Sequence, residues 1–282
     1  MNKLKGTIYV LLSAICFSLG GLLIKSIPWS PMSIQGVRSF FSLLVIGGYM
    51  GINKRKVIIN KTVILGALFN CAMAVTFVMA TKMTTAANAI VLQFTEPIFV
   101  ILLLWVLYKK RPQKNAVLAT VVVFIGILFF FFESLTMSGM IGNFLAIFSG
   151  FTYALVFLMK GFPGADFESS ILLSNILSVI LGFPSYLAES ENTFAILGWV
   201  ILLGTLQCGL SYIFLSKGLD DVSPITASLT STIEPILNPL LVAWFYGEKI
   251  GGIAIIGVCL VVGASTLYNI FESKKTAGEL KT

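Results

Sequence analysis

The chain has 282 residues, of which 57% are apolar and only 11% charged, with a mean hydropathy of +0.96. Globular domains carry roughly 45–50% apolar and about 25% charged residues, so a water-soluble fold is excluded and the solvent of this chain is lipid. The net charge of +7 sits in short clusters between apolar runs, the pattern of membrane loops and not of a nucleic-acid-binding face. The first apolar stretch, 7–26, follows a basic start like that of a signal peptide. No clean small-x-small cleavage site follows it and more apolar spans come after, so it reads as a retained helix. Further stretches follow at 32–51, 62–81, 86–108 and 115–132, then at 141–159, 170–188, 194–217, 224–246 and 252–271. Each is about 18–24 residues, the length that the hydrocarbon core demands of a helix. The sequence therefore predicts an all-α polytopic membrane protein of ten transmembrane helices, joined by short connections.

Lysine and arginine set the expected orientation. With a cytoplasmic amino terminus, the inner segments hold Lys3, Lys5, Lys54, Arg55, Lys56, Lys61, Lys109, Lys110, Arg111, Lys114, Lys160, Lys217, Lys274, Lys275 and Lys281, which is 15 of the 19 basic residues. Outer segments hold Lys25, Lys82 and Lys249, and Arg38 lies within the second span. Both termini are expected on the cytoplasmic side of the cell membrane.

The two halves repeat each other. AIVLQFTEPIFVILLLWVLY around residue 89 aligns with ASLTSTIEPILNPLLVAWFY around 227, placing Glu96-Pro97 on Glu234-Pro235. Upstream, Cys71 falls on Cys208 and Ser13 on Ser149. Residues 1–138 and 139–282 thus form two five-helix repeats. Because five is odd, the second copy enters the membrane from the opposite side, which predicts inverted-topology repeats and a midplane site between two alternating gates. Ten spans in two halves, with Glu-Pro in the fourth span of each, resemble the EamA-type branch of the drug/metabolite transporter superfamily. The resemblance covers essentially the whole chain. It implies a secondary transporter whose central cavity is lined mainly by spans 1, 3, 4, 6, 8 and 9, and it does not imply a substrate.

A carboxylate inside a span costs at least about 2.5–3.5 kcal/mol on insertion scales, so each needs a partner or a task. Glu96 and Glu234 precede Pro97 and Pro235, which free the carbonyls of Gln93 and Ser231; Asn238-Pro239 adds a second break in the later copy. The three prolines are expected hinges. Gln93, Thr95 and Glu96 line one polar notch, and Thr230, Ser231, Thr232, Glu234 and Asn238 the other. The glutamates fit either a scaffold role, bonding to broken backbone, or contact with a proton or substrate. Arg38 has Ser174 as its repeat counterpart, so duplication of the scaffold does not explain it. It reads as an arginine snorkelling to the outer interface, or as a guanidinium paired with a glutamate or with a substrate carboxylate. Tyr153, Tyr212, Asn70 and Gln207 lie on spans that the resemblance assigns to the cavity, where lining and helix–helix hydrogen bonding both fit. Trp29 and Trp199 read as interfacial anchors, and Gly47 and Gly51 as a G-x-x-x-G packing or dimerisation motif.

The absence of histidine removes histidine triads and H-E-x-x-H sites. Cys16, Cys71, Cys208 and Cys259 fall inside apolar runs without a C-x-x-C pair and read as small buried hydrophobes. No metal and no cofactor are expected. The favoured function is secondary active transport, as an exporter, of amino acids or related amine-bearing zwitterions, with protons as a candidate coupling ion. Other solutes or drugs remain open as substrates. A channel, or an intramembrane enzyme using the paired glutamates as acid and base, are the alternatives from other classes.

Overall fold

The computed structural model describes residues 3–84, 86–109, 111–132, 135, 139–246 and 251–279. Lys110, Lys249 and Lys281, used above for orientation, lie outside the described residues. Among those described the chain is nearly all helical, without strands: α1 (Lys3–Ser18), α2 (Gly20–Lys25), α3 (Pro31–Ile52), α4 (Lys61–Met83), α5 (Ala86–Gln93), α6 (Glu96–Tyr108) and α7 (Lys114–Phe130), then α8 (Met140–Leu158), α9 (Phe167–Tyr186), α10 (Phe194–Leu202), α11 (Ser211–Leu219), α12 (Pro224–Ser231), α13 (Glu234–Tyr246) and α14 (Gly252–Glu279). A π-helix, Leu203–Leu210, joins α10 to α11. Among the described residues, six helical stretches are long and apolar enough to cross a bilayer: Lys61–Thr81, Asn88–Tyr108, Met140–Gly161, Phe167–Tyr186, Phe194–Leu219 and Gly252–Glu272, with α7 a shorter apolar helix. The remaining expected spans fall on α1 with α2, on α3, and on α12 with α13. Of these α3 buries Ser33, Gln35, Arg38, Ser39 and Ser42, which lowers its hydropathy without moving it out of the bundle.

Polar side chains start the helices. Ser30, Asn60, Asp166, Thr193 and Ser223 each accept a hydrogen bond from the backbone N–H three residues on, satisfying donors that have no partner within the helix. The most extensive packing runs between the two sequence halves: α3 against α9, α4 against α8, α7 against α14, and α1 against α11. Two of these crossings are closed by glycines. A Cβ on Gly36 of α3 would lie 2.8 Å from the Cα of Gly182 on α9, and one on Gly257 of α14 would lie 2.5 Å from the carbonyl oxygen of Gly126 on α7. The expected motif Gly47/Gly51 does not work this way: Gly51 faces open space and Gly47 only touches Leu172.

Ion pairs and cation–π contacts gather at one end of the bundle. Lys3 pairs with Glu272 at 3.3 Å, Lys160 with Asp220 at 2.6 Å, and Arg55 with Glu168. Lys217 lies over the rings of both Tyr9 and Tyr49. At the other end the Glu189 carboxylate accepts from the Ser30 N–H at 2.8 Å and the Ser33 hydroxyl at 2.7 Å. Trp29 is buried there, edge-on to Tyr186, with its indole N–H donated to the Glu191 carbonyl. It therefore fastens two connections together and is not a lipid-facing anchor; Trp199 is exposed. Cys259 is exposed as well, because α14 turns one apolar face outward, where lipid replaces protein packing.

Candidate functional site

Both Glu-Pro sequences begin new helices. Phe94 and Thr95 separate α5 from α6, and Thr232 and Ile233 separate α12 from α13. Pro97 and Pro235 thus occupy the second position of a helix, where a missing N–H leaves no intrahelical bond unmade. Hydroxyls cover carbonyls at both breaks: Thr95 Oγ1 donates to the Leu92 oxygen at 2.6 Å, and Thr232 Oγ1 to the Leu229 oxygen at 2.7 Å. A Cβ on Gly150 of α8 would lie 2.5 Å from the Gln93 carbonyl oxygen, so only glycine lets α8 touch the first break. The second break expected at Asn238-Pro239 is absent, since α13 runs through it. One proline removes a single ladder bond, and the flanking turns hold the helix, as they do at Pro184 inside α9.

The two glutamates have unequal surroundings. Glu96 is fully buried, and its Oε2 accepts from the Ser228 hydroxyl of α12 at 2.6 Å, while Oε1 has no partner. On Glu234 the buried Oε2 has no partner. In the repeat alignment Ser228 corresponds to Ile90, which has no hydroxyl to offer Glu234. The two carboxylates act electrostatically on each other and both act on Tyr153, which is buried between the halves. Tyr212, edge-on to Phe17 with ring centroids 5.2 Å apart, lies within electrostatic reach of both Arg38 and Glu234 and borders Asn70.

Arg38 is buried, 7% exposed, so it does not snorkel. Its Nε donates to Gln35 Oε1 at 2.9 Å, and Nη2 shares the same oxygen. It forms no ion pair among the described residues. A polar seam between α3, α4 and α9 surrounds it. Gln35 Nε2 reaches Ser39 and Ser178, each at 3.3 Å; Asn70 Nδ2 donates to Ser174 at 2.8 Å, and Asn175 Nδ2 to Ser42 at 3.1 Å. The π-helix backs onto this seam, because a Cβ on Gly204 would lie 2.5 Å from the Arg38 carbonyl oxygen. Its wide turns present Gln207 and Cys208, whose thiol donates to Gln207 Oε1 at 3.0 Å; π segments concentrate at functional sites.

Arg38, Asn70, Glu96, Tyr153, Tyr212 and Glu234 therefore share one buried region, and Gln207 borders it. Gln93 turns to α8, donating to Ser149 Oγ at 2.7 Å, while Ser149 donates to the Met73 carbonyl at 3.0 Å. Asn238 is half-buried and bonds to none of the others among the described residues. Gln35 and Ser228 went unread in the sequence. A signal existed for the seam: Ser170, Ser174 and Ser178 recur every four residues, one face of a helix that is too polar for lipid.

A buried arginine and two glutamates, enclosed by apolar helices with two matched breaks, mark a multi-pass membrane protein. The chain belongs to the EamA-like transporter family, whose model matches twice, over residues 4–132 and 140–270. It is 24% identical to an uncharacterised transporter of Clostridium kluyveri, over 98% of this chain and 96% of the relative. It is also 24% identical to an uncharacterised transporter of Archaeoglobus fulgidus, over 91% and 93%. With solute carrier family 35 member G1 of Homo sapiens it shares 29% identity, over 74% of this chain and 60% of that protein. A solved crystal structure superposes with a TM-score of 0.82, at 14% identity, over 96% of this chain and 99% of its own, a likeness of fold.

Proposed function

We propose that this chain is a secondary active transporter of amino acids or related amine-bearing zwitterions, working by alternating access between two inverted five-helix repeats. The observation that carries the substrate class is that a buried arginine and the two glutamates lie within electrostatic reach of the same two buried tyrosines, Arg38 and Glu234 of Tyr212, and Glu234 and Glu96 of Tyr153. A zwitterion would lay its carboxylate toward Arg38, displacing the neutral Gln35, and its ammonium toward the glutamates, with cation–π support from Tyr153 or Tyr212. Three buried acceptors without partners, Asn70 Oδ1, Glu96 Oε1 and Glu234 Oε2, suit an ammonium, which has three N–H donors and no acceptor.

Inversion and a ten-span count are supported by symmetry in the packing. Exchanging each expected span for its repeat partner turns the α4–α8 contact into α1–α11, and the α4–α9 contact into that of α3 with the π-helix. The exchange also relates two hydrogen bonds to within one residue: Ser149 Oγ donates to the carbonyl of Met73, whose repeat partner is Leu210, and Ser13 Oγ donates to the carbonyl of the next residue, Ser211, at 2.9 Å. Export, with proton coupling through a glutamate, at the cell membrane with both termini cytoplasmic, completes the proposal. The lysine-rich end of the bundle supports that orientation.

Proteoliposome uptake tests the substrate class. Zwitterionic amino acids should compete for the site and neutral sugars should not. Arg38→Lys keeps the charge and loses the planar fork, so apparent affinity should fall about tenfold, the worth of one charge-assisted hydrogen bond. Competition by sugars, together with normal transport by Arg38→Lys, would overturn the proposal.

A further inference from the structure

A groove of about 450 Å³ opens on the side of the bundle, and none of Arg38, Asn70, Glu96, Tyr153, Tyr212 or Glu234 lines it. Its walls are α1 and α14, which do not pack extensively on each other, and its floor is α12, which packs on both. All three helices show the same gradient from the end of the bundle inward. On α1 the lining passes from Lys3 through Thr7 to Leu11; along α12 from Thr226 through Thr230 to Ile233 in the break beyond it; on α14 from Glu272 through Asn269 and Ser265 to Val261. Both signs of charge therefore stand at the membrane-surface end, with Lys3 Nζ 3.3 Å from Glu272 Oε1. Hydroxyl and amide groups follow, and the deep end is hydrocarbon. Asn269 Nδ2 donates to Thr230 Oγ1 at 3.0 Å, while its buried Oδ1 has no partner. The rim is formed by exposed apolar residues, Leu4, Leu11, Val262 and Ile270, the side chains that meet lipid tails.

We infer that this groove holds one phospholipid with a zwitterionic ethanolamine headgroup, drawn from the leaflet at the Lys3 end. The phosphate faces Lys3, the ammonium faces Glu272 and the Asn269 oxygen, and the first part of an acyl chain lies along Leu11, Ile233 and Val261. Charge complementarity selects the occupant. An anionic headgroup without an amine meets Lys3 but is repelled by Glu272, and a choline headgroup has no N–H to give Asn269. The volume fits a headgroup, glycerol and the start of one chain, within the range of small-molecule sites, and pockets between membrane helices recognise headgroups by this chemistry.

Native mass spectrometry of the purified protein in detergent, titrated with dimyristoyl lipids, tests this without any transport assay. One phosphatidylethanolamine should be retained about fivefold better than phosphatidylglycerol, the effect of a single partly exposed charge pair. Free phosphoethanolamine, which lacks the chain, should leave no adduct. Thr266→Trp, on the exposed groove wall, should abolish retention, and Glu272→Lys should reverse the preference toward phosphatidylglycerol. Equal retention of the two lipids by the unmodified protein, binding of the free headgroup, or an adduct that survives Thr266→Trp would each overturn the assignment.

Discussion

Ser228→Ala removes the one side-chain hydrogen bond that Glu96 makes among the described residues. Glu96 is fully buried, the Ser228 hydroxyl donates to Oε2 at 2.6 Å, and Oε1 has no other donor, so the substitution leaves the whole carboxyl group unsatisfied. The expected cost is about 1–3 kcal/mol, the desolvation penalty of a buried acceptor. A cycle with Glu96→Gln divides this further. A hydrogen bond to an ionised carboxylate contributes about 1.5–3 kcal/mol, and one to a neutral group about 0.5–1.5 kcal/mol. The coupling between Ser228→Ala and Glu96→Gln therefore reports the charge of Glu96 in the resting protein. The assay is reversible unfolding in mixed micelles of dodecyl maltoside and sodium dodecyl sulfate, followed by tryptophan fluorescence, with all four proteins measured together. Coupling near zero would report a neutral Glu96; a Ser228→Ala protein that unfolds like the unmodified one would refute the reasoning, because it would mean that Ser228 and Glu96 do not hold each other.

At the other end of the bundle, burial pushes the Glu189 carboxyl up, but hydrogen bonds from the Ser33 hydroxyl and from the Ser30 N–H and hydroxyl outweigh it and leave its pKa lowered. A lowered folded pKa contributes stability above the unfolded value of about 4.3 and loses it as pH falls through the folded one. Glu189→Gln should therefore melt below the unmodified protein at neutral pH, and the gap should close in acid; a gap that persists unchanged in acid would show that the charge is not the cause. For orientation, a cysteine replacing Lys56 should resist an impermeant thiol reagent in intact cells and react after permeabilisation. Labelling from outside would reverse the assignment.

Hydrophobic length and the paired Glu-Pro sequences were legible because bilayer thickness and proline stereochemistry act locally. The environment of each charge was not. Ionic partners are the default expectation for Arg38, yet Gln35, one turn earlier on the same helix, is nearer than any carboxylate and lies on the same face. Glu96 and Glu234 look equivalent along the chain; their difference rests on Ser228 against Ile90, residues that matter only once α12 crosses α6. The π-helix has no composition of its own. It follows from packing, with Gly204 and Gly209 pressed against Arg38, Phe41 and Val45 of α3. Trp29 was misread because a tryptophan at a span end usually meets lipid headgroups, whereas here the connection after α9 folds over it.

The preference of each half for the other has a consequence for how the protein is made. The main partners of α1, α3, α4 and α7 are α11, α9, α8 and α14, all of which leave the ribosome later. The first of the two family-model repeats is thus a unit of heredity and not of assembly. When residues 1–138 have entered the bilayer, the serine and asparagine seam of α3 and α4, and the glycine faces at Gly36 and Gly126, still await the helices that cover them. Packing of the first half is completed by the second, and α14 closes the contact with α7.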